Sequence, residues 1–175
     1  DYIDQLKSND VKPFPVLASN NSKYPDVGSA DTDEGRQAFA KYADYAVGQL
    51  QNIDPDTGKD QNSSYQVWNE WNHLVPSTSS FLPCRGDQSD PEELEKIKAC
   101  LTGANYYKTL KLVHDAVKKD HPTAQLSGGA IAGYDGKWFS DLFNAGSEGE
   151  KGYDMFDSIS FNAYPKTPEA LIDNL

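Results

Sequence analysis

Cationic side chains are scarce in this chain. Lysine and arginine number 16 against 27 aspartates and glutamates in 175 residues, a formal net charge of −11. Without basic clusters to neutralise phosphates, neither nucleic acid nor an anionic membrane surface is expected as a partner. Long apolar runs are also missing. The mean hydropathy of −0.71 leaves no membrane-spanning stretch. The three histidines are scattered without ligand spacing, so no metal is expected. No glycine-rich phosphate loop occurs, so no nucleotide cofactor is expected, and nothing implies another organic one. No signal-peptide segment opens the chain, which starts at Asp1, and this fits a targeting segment removed or lost. What is present is globular in composition, with 37% hydrophobic and 11% aromatic residues, and of one-domain length.

The most informative stretch is Ser64-Tyr65-Gln66-Val67-Trp68-Asn69-Glu70-Trp71-Asn72. Its alternation of aromatic and β-branched residues predicts a buried strand whose end emerges into a cleft. A carboxyl group there, beside two indoles, is expected to be partly desolvated, which raises its pKa and suits Glu70 to donating a proton. Asn69 and Asn72 offer amides to sugar hydroxyls, and the faces of Trp68 and Trp71 can stack on a pyranose ring. The competing reading has both tryptophans in the core of a structural domain and Glu70 as a solvated carboxylate.

Taken in order, the chain opens on a helix end around Tyr2, Ile3 and Leu6, followed by a proline-interrupted apolar run, 11–17. Asp31 or Thr32 can cap an amphipathic helix carrying Phe39, Tyr42, Ala43, Ala46, Val47 and Leu50, its tyrosines read as packing residues. After the Glu70 strand, 73–90 is an aperiodic mouth loop in which His73 could reach a substrate hydroxyl but reads rather as a solvated histidine. Asp90-Pro91-Glu92-Glu93 starts the next helix, which breaks near Thr102-Gly103 and resumes through Tyr106, Leu110, Val113 and Val117. A strand over 125–131 with Gly128-Gly129, a short helix bearing Trp138, Phe139, Leu142 and Phe143, and a strand over 157–164 ending in Asn162 and Tyr164 follow. Thr167-Pro168-Glu169 opens one more helix. Strands alternating with helices predict an α/β fold with a parallel sheet and right-handed crossovers. An open doubly wound sheet is the alternative arrangement.

Cys84 and Cys100 both lie between the Glu70 strand and the next. Paired, they would suit a secreted protein; unpaired, they would be two buried thiols of a cytosolic one; the pair is the expectation. Asn20-Asn21-Ser22 and Asn62-Ser63-Ser64 are glycosylation tripeptides, which also arise by chance. Arg85-Gly86-Asp87 is assigned no role.

Val67-Trp68-Asn69-Glu70 resembles the strand end of clan A glycoside hydrolases, and the text around it is most similar to family 39, the β-xylosidase and α-L-iduronidase group. Lys12-Pro13-Phe14-Pro15-Val16-Leu17, Gly35-Arg36-Gln37-Ala38-Phe39-Ala40-Lys41-Tyr42-Ala43, Ser127-Gly128-Gly129-Ala130 and Phe156-Asp157-Ser158-Ile159-Ser160-Phe161-Asn162-Ala163-Tyr164 resemble that family in the same order. Trp71 stands where the family usually has Pro, and Asn162 where it often has His. The resemblance implies part of a (β/α)8 barrel, its third to sixth βα units, with all of 1–175 belonging to one catalytic domain and the rest of the barrel needed to complete the site. It implies a retaining glycoside hydrolase acting on an oligo- or polysaccharide. Glu70 would be the general acid and base, Asn69 the contact to the sugar 2-hydroxyl, and Tyr164 a hydrogen-bond partner of the nucleophile. That nucleophile would be a glutamate beyond Leu175, since Glu148, Glu150 and Glu169 do not read as strand ends. A secreted, extracellular or periplasmic protein is expected. A non-catalytic carbohydrate-binding relative of the same fold remains the alternative, beside a structural domain.

Overall fold

The computed structural model describes residues 5, 6, 8, 9, 11–18, 30–62, 64–74 and 83–164. The helix residues Tyr2 and Ile3, the tripeptide at Asn20, part of the expected mouth loop (75–82) and the helix start at Thr167 lie outside the described residues. Strands β1 (Val16–Leu17), β2 (Tyr65–Val67), β3 (Leu126–Ala132) and β4 (Ser158–Asn162) form one sheet in the order β1-β2-β3-β4, every pair parallel. The crossovers carry helices α1 (Asp33–Leu50), α2 (Pro91–Cys100), α3 (Gly103–Asp120) and α4 (Gly136–Asn144), and a 3-10 turn at Gly152–Met155. This sequential order decides between the two expected arrangements. A doubly wound sheet reverses its strand order at a switch point, whereas here each strand adds beyond the last, as in a barrel wall.

Local chemistry sets the helix limits. Thr32 caps α1 by accepting from the Gly35 N–H at 3.0 Å, and Asp90 caps α2 by accepting from Glu92 N–H at 2.8 Å with Pro91 beside it. The break at Thr102-Gly103 has a packing cause as well as a cap. A Cβ on Gly103 would stand 2.1 Å from the Trp138 carbonyl oxygen, so only glycine lets α3 begin against α4.

The core lies between the helices and one face of the sheet. α1 presents Gly35, Phe39, Ala40, Ala43 and Val47 to it, and α3 presents Tyr106, Thr109, Leu110, Val113 and Val117. Burying each of the larger aliphatic side chains stabilises the fold by about 1.5–3 kcal/mol. The α1 tyrosines do not pack as expected. Tyr42 is half-exposed and Tyr45 mostly exposed, because the buried stripe follows the small residues Ala40 and Ala43, and Tyr42 only flanks Phe39. Phe39, Trp68, Trp71, Tyr106 and Trp138 form a row of rings with successive centroids 5.0, 5.5, 5.2 and 5.3 Å apart, mostly edge to face.

Cys84 and Cys100 are disulfide-bonded, as expected, tying the loop after β2 to the end of α2, where Ile97 and Leu101 form a small cluster around them. Closing 16 residues of chain is expected to contribute about 3 kcal/mol by restricting the unfolded state. The double variant Cys84→Ser/Cys100→Ser should lose that amount in denaturant unfolding. An unchanged midpoint would show that packing alone holds the loop.

Asn62, in the second glycosylation tripeptide, is buried: its Nδ2 donates to the Leu50 carbonyl at 2.9 Å and to the Tyr65 hydroxyl at 2.5 Å. The Tyr65 hydroxyl in turn donates to Asp60 Oδ2 at 2.6 Å, closing the turn that delivers the chain into β2.

Candidate active site

β2 is shorter than its alternation suggests, and its end is the key to the site. After Val67 the chain leaves extended geometry, with φ of 67° at Trp68 and 52° at Glu70, a left-handed conformation that side chains with a Cβ rarely adopt. Such strain persists only where surrounding contacts hold it. Here the Trp68 N–H donates to Leu17 O at 2.8 Å, the Glu70 N–H to Ala130 O, and the Tyr106 hydroxyl to Val67 O at 2.7 Å. The two left-handed residues break the strand's period of two and turn the peptide so that the tryptophans and Glu70 part company.

Trp68 is 1% exposed and Trp71 0%, both inside the aromatic row, and Trp71 Nε1 donates to Cys100 O at 3.1 Å. Neither indole face is open to a sugar, which corrects the expectation that they stack on substrate. Asn72 is likewise turned to structural use. Its Oδ1 accepts from the Ala132 N–H at 2.8 Å and its Nδ2 donates to Ala132 O at 3.2 Å, clasping the turn to the end of β3.

Glu70, Asn69, Asn162 and Tyr164 do come together, at the carboxyl-terminal mouth of the sheet. Asn162 Nδ2 donates to Glu70 Oε1 at 2.9 Å and to Asn69 Oδ1 at 3.2 Å, and the Tyr164 hydroxyl donates to the same Oε1. Tyr164 therefore meets the expected acid and base itself. His73 Nδ1 lies 3.3 Å from Glu70 Oε2, so this histidine is not merely a solvated loop residue. Its place three residues after Glu70, on the same turn, is the signal that could have found it.

Gln66 was the other omission. It is 5% exposed, on the sheet face opposite Tyr65 and Val67, and a buried amide four residues before Glu70 in an otherwise apolar strand was its sequence signal. Among the described residues no group of acidic, histidine and cysteine side chains could hold a metal.

The Glu70 carboxyl is affected in opposite senses. Partial burial raises its pKa, but donors from Tyr164, Asn162 and His73 favour the charged form and outweigh burial, so it is held below its ordinary 4.5. This reverses the expected direction, because the indoles that were to desolvate it lie in the core. The Tyr164 hydroxyl is pushed up by its bond to Glu70, with lesser help from burial, as a donor to a carboxylate should be. A depressed folded-state pKa contributes stability above the ordinary value of 4.5 that is lost as pH falls through the lower folded value. Tyr164→Phe, which removes one donor, should raise the Glu70 pKa; a carboxyl-carbon NMR titration checks it, and an unmoved midpoint would show that the hydroxyl does not set the value.

No protein-family model matches the chain, and no curated protein is significantly similar to it. Among solved structures it is similar to a family 39 glycoside hydrolase from the gut symbiont Bacteroides cellulosilyticus WH2, with a TM-score of 0.58 and 22% identity over 91% of this chain and 26% of that one. The chain thus spans about a quarter of the length of the structure it matches. At this identity the likeness establishes the fold: four consecutive parallel strands joined by helical crossovers, of the kind that build a (β/α)8 barrel.

Proposed function

We propose that this chain carries the acid and base side of a retaining glycoside hydrolase site that acts on an oligo- or polysaccharide. The observation that carries the reading is the Glu70 carboxylate at the carboxyl-terminal mouth of a parallel sheet, braced by Asn162 and Tyr164 and adjacent to Asn69. Barrel enzymes place their reacting groups at that end of the strands. The similar solved structure, a family 39 glycoside hydrolase, supports the same class.

In this reading Glu70 gives its proton to the glycosidic oxygen while a second carboxylate, roughly 5–5.5 Å away, attacks the anomeric carbon and displaces the leaving group. Glu70 then takes a proton from water, whose oxygen attacks the same carbon and releases the second carboxylate. Among the described residues the other carboxyl groups considered are engaged or turned away: Asp135, three residues past β3, caps α4 by accepting from the Trp138 N–H, Glu148 is exposed, and Glu150 is held by Tyr107 and Lys111. The nucleophile is accordingly assigned outside the described residues, to the remaining strands of the barrel. Its negative charge would also raise the Glu70 pKa from its depressed value, as a general acid needs. The disulfide supports an oxidising, secreted setting, extracellular or periplasmic.

The test is hydrolysis of a panel of nitrophenyl glycosides by the polypeptide that includes the remaining strands, with proton NMR of the first anomer released. Retention of configuration is expected. Inversion would overturn the double displacement. Absence of turnover together with measurable saccharide affinity would favour a carbohydrate-binding relative.

A further inference from the structure

The hydrogen bonds beneath Glu70 determine which end of the Asn69 amide faces a ligand. Gln66 Nε2 donates to Trp68 O at 3.0 Å and to Asn69 Oδ1 at 3.4 Å, while its Oε1 accepts from Ser160 Oγ at 3.4 Å, a hydroxyl whose hydrogen is shared with Gly128 O at the same distance. Ser160 in turn accepts from Ser127 Oγ at 3.2 Å. A carbonyl oxygen can only accept, so the bond to Trp68 O identifies the nitrogen end of the Gln66 amide. Asn162 is oriented by the same logic, because its Nδ2 faces the acceptor-only carboxylate of Glu70 at 2.9 Å. Asn69 stands between these two NH2 groups, and both reach one atom, its Oδ1. Turning the Asn69 amide over would set nitrogen against nitrogen twice. Its Nδ2 is the end left over, with no hydrogen bond to it among the described residues.

We propose that Gln66 is a positioning residue that presents Asn69 to the sugar as a hydrogen-bond donor. It does not touch the ligand; it fixes, through Asn69, the polarity of the contact to the hydroxyl next to the bond cleaved. The site then selects sugars carrying an accepting oxygen at position 2. This deepens the glycosidase reading and rests on it for the identity of the ligand. The inward row Gln66, Ser127 and Ser160 is also explained. A barrel interior is ordinarily filled with branched apolar side chains, and here two hydroxyls and one amide stand beside Val16 on that face, because the amide they anchor needs a fixed orientation.

The experiment compares 4-nitrophenyl β-D-xylopyranoside with its 2-deoxy counterpart, using the polypeptide that includes the remaining strands. In the Gln66→Met variant, which keeps the volume and loses the amide, kcat/KM for the 2-hydroxy substrate should fall roughly five- to tenfold, one hydrogen bond's worth, with the 2-deoxy substrate unaffected. Equal losses on both would reduce Gln66 to a fold-supporting residue and overturn the proposal. Ser160→Ala, a milder change one bond further from Asn69, should give a smaller loss with the same selectivity, and decides the matter if Gln66→Met does not fold. Calorimetric affinities of methyl β-D-xylopyranoside and its 2-deoxy form repeat the comparison without turnover. Missing hydrolysis would sink the glycosidase reading alone, whereas equal wild-type affinity for the two sugars would overturn the positioning role.

Discussion

Glu70→Gln is expected to reduce turnover of glycosides with poorly activated leaving groups, such as a second sugar or an alkyl alcohol, by about 10²–10⁴-fold, the usual worth of a positioned acid. The same variant should cleave glycosides of a strongly acidic phenol at close to the wild-type rate in the step that forms the covalent intermediate, because such a leaving group departs without a proton. Burst and steady-state kinetics of the polypeptide that includes the remaining strands separate the two steps. Gln keeps the volume and one hydrogen-bonding oxygen for Asn162 and Tyr164, so the site should hold its shape. Equal losses on both leaving groups would mean that Glu70 is not the proton donor, and unchanged rates on both would remove it from the chemistry.

Trp71→Ala is expected to act on stability, by about 3–5 kcal/mol, the range for deleting a large buried aromatic side chain. The ring is fully buried between Trp68 and Tyr106, and its Nε1 hydrogen also satisfies the Cys100 carbonyl, which the variant would leave unpaired. Denaturant unfolding measures the loss. A stacking platform would behave differently: truncation would raise KM and leave unfolding almost untouched. That outcome would return the indole to the substrate and contradict its place in the core.

These two residues show what could be read from the sequence. Features fixed by near neighbours were legible. Asp90-Pro91 had to start a helix, the spacing of Leu110, Val113 and Val117 had to bury one face, and alternating strands and helices had to give parallel pairing. The identity of Glu70 as the carboxylate at a strand mouth was also legible, through its motif. The environment of Glu70 was not. Facing in a strand follows from a period of two only while the backbone stays extended, and Trp68 and Glu70 leave that region. No periodicity could announce this, and the desolvation inferred from adjacent indoles vanished with it. What replaced it was long-range: Asn162 lies 92 residues from Glu70 and Tyr164 94, and only the pairing of β4 with β3 brings them near.

Asn62 bears on how the chain is made. The nitrogen that would carry an oligosaccharide in its tripeptide is the one that bonds to Leu50 and Tyr65 inside the turn before β2. Attachment and native packing there exclude each other. In a compartment that glycosylates nascent chains, each molecule would meet a race between transfer and closure of that turn, and those modified first would be sent to quality control instead of export. A bacterial host that lacks the transferase imposes no such race. The yield of correctly assembled protein should therefore depend on the expression host.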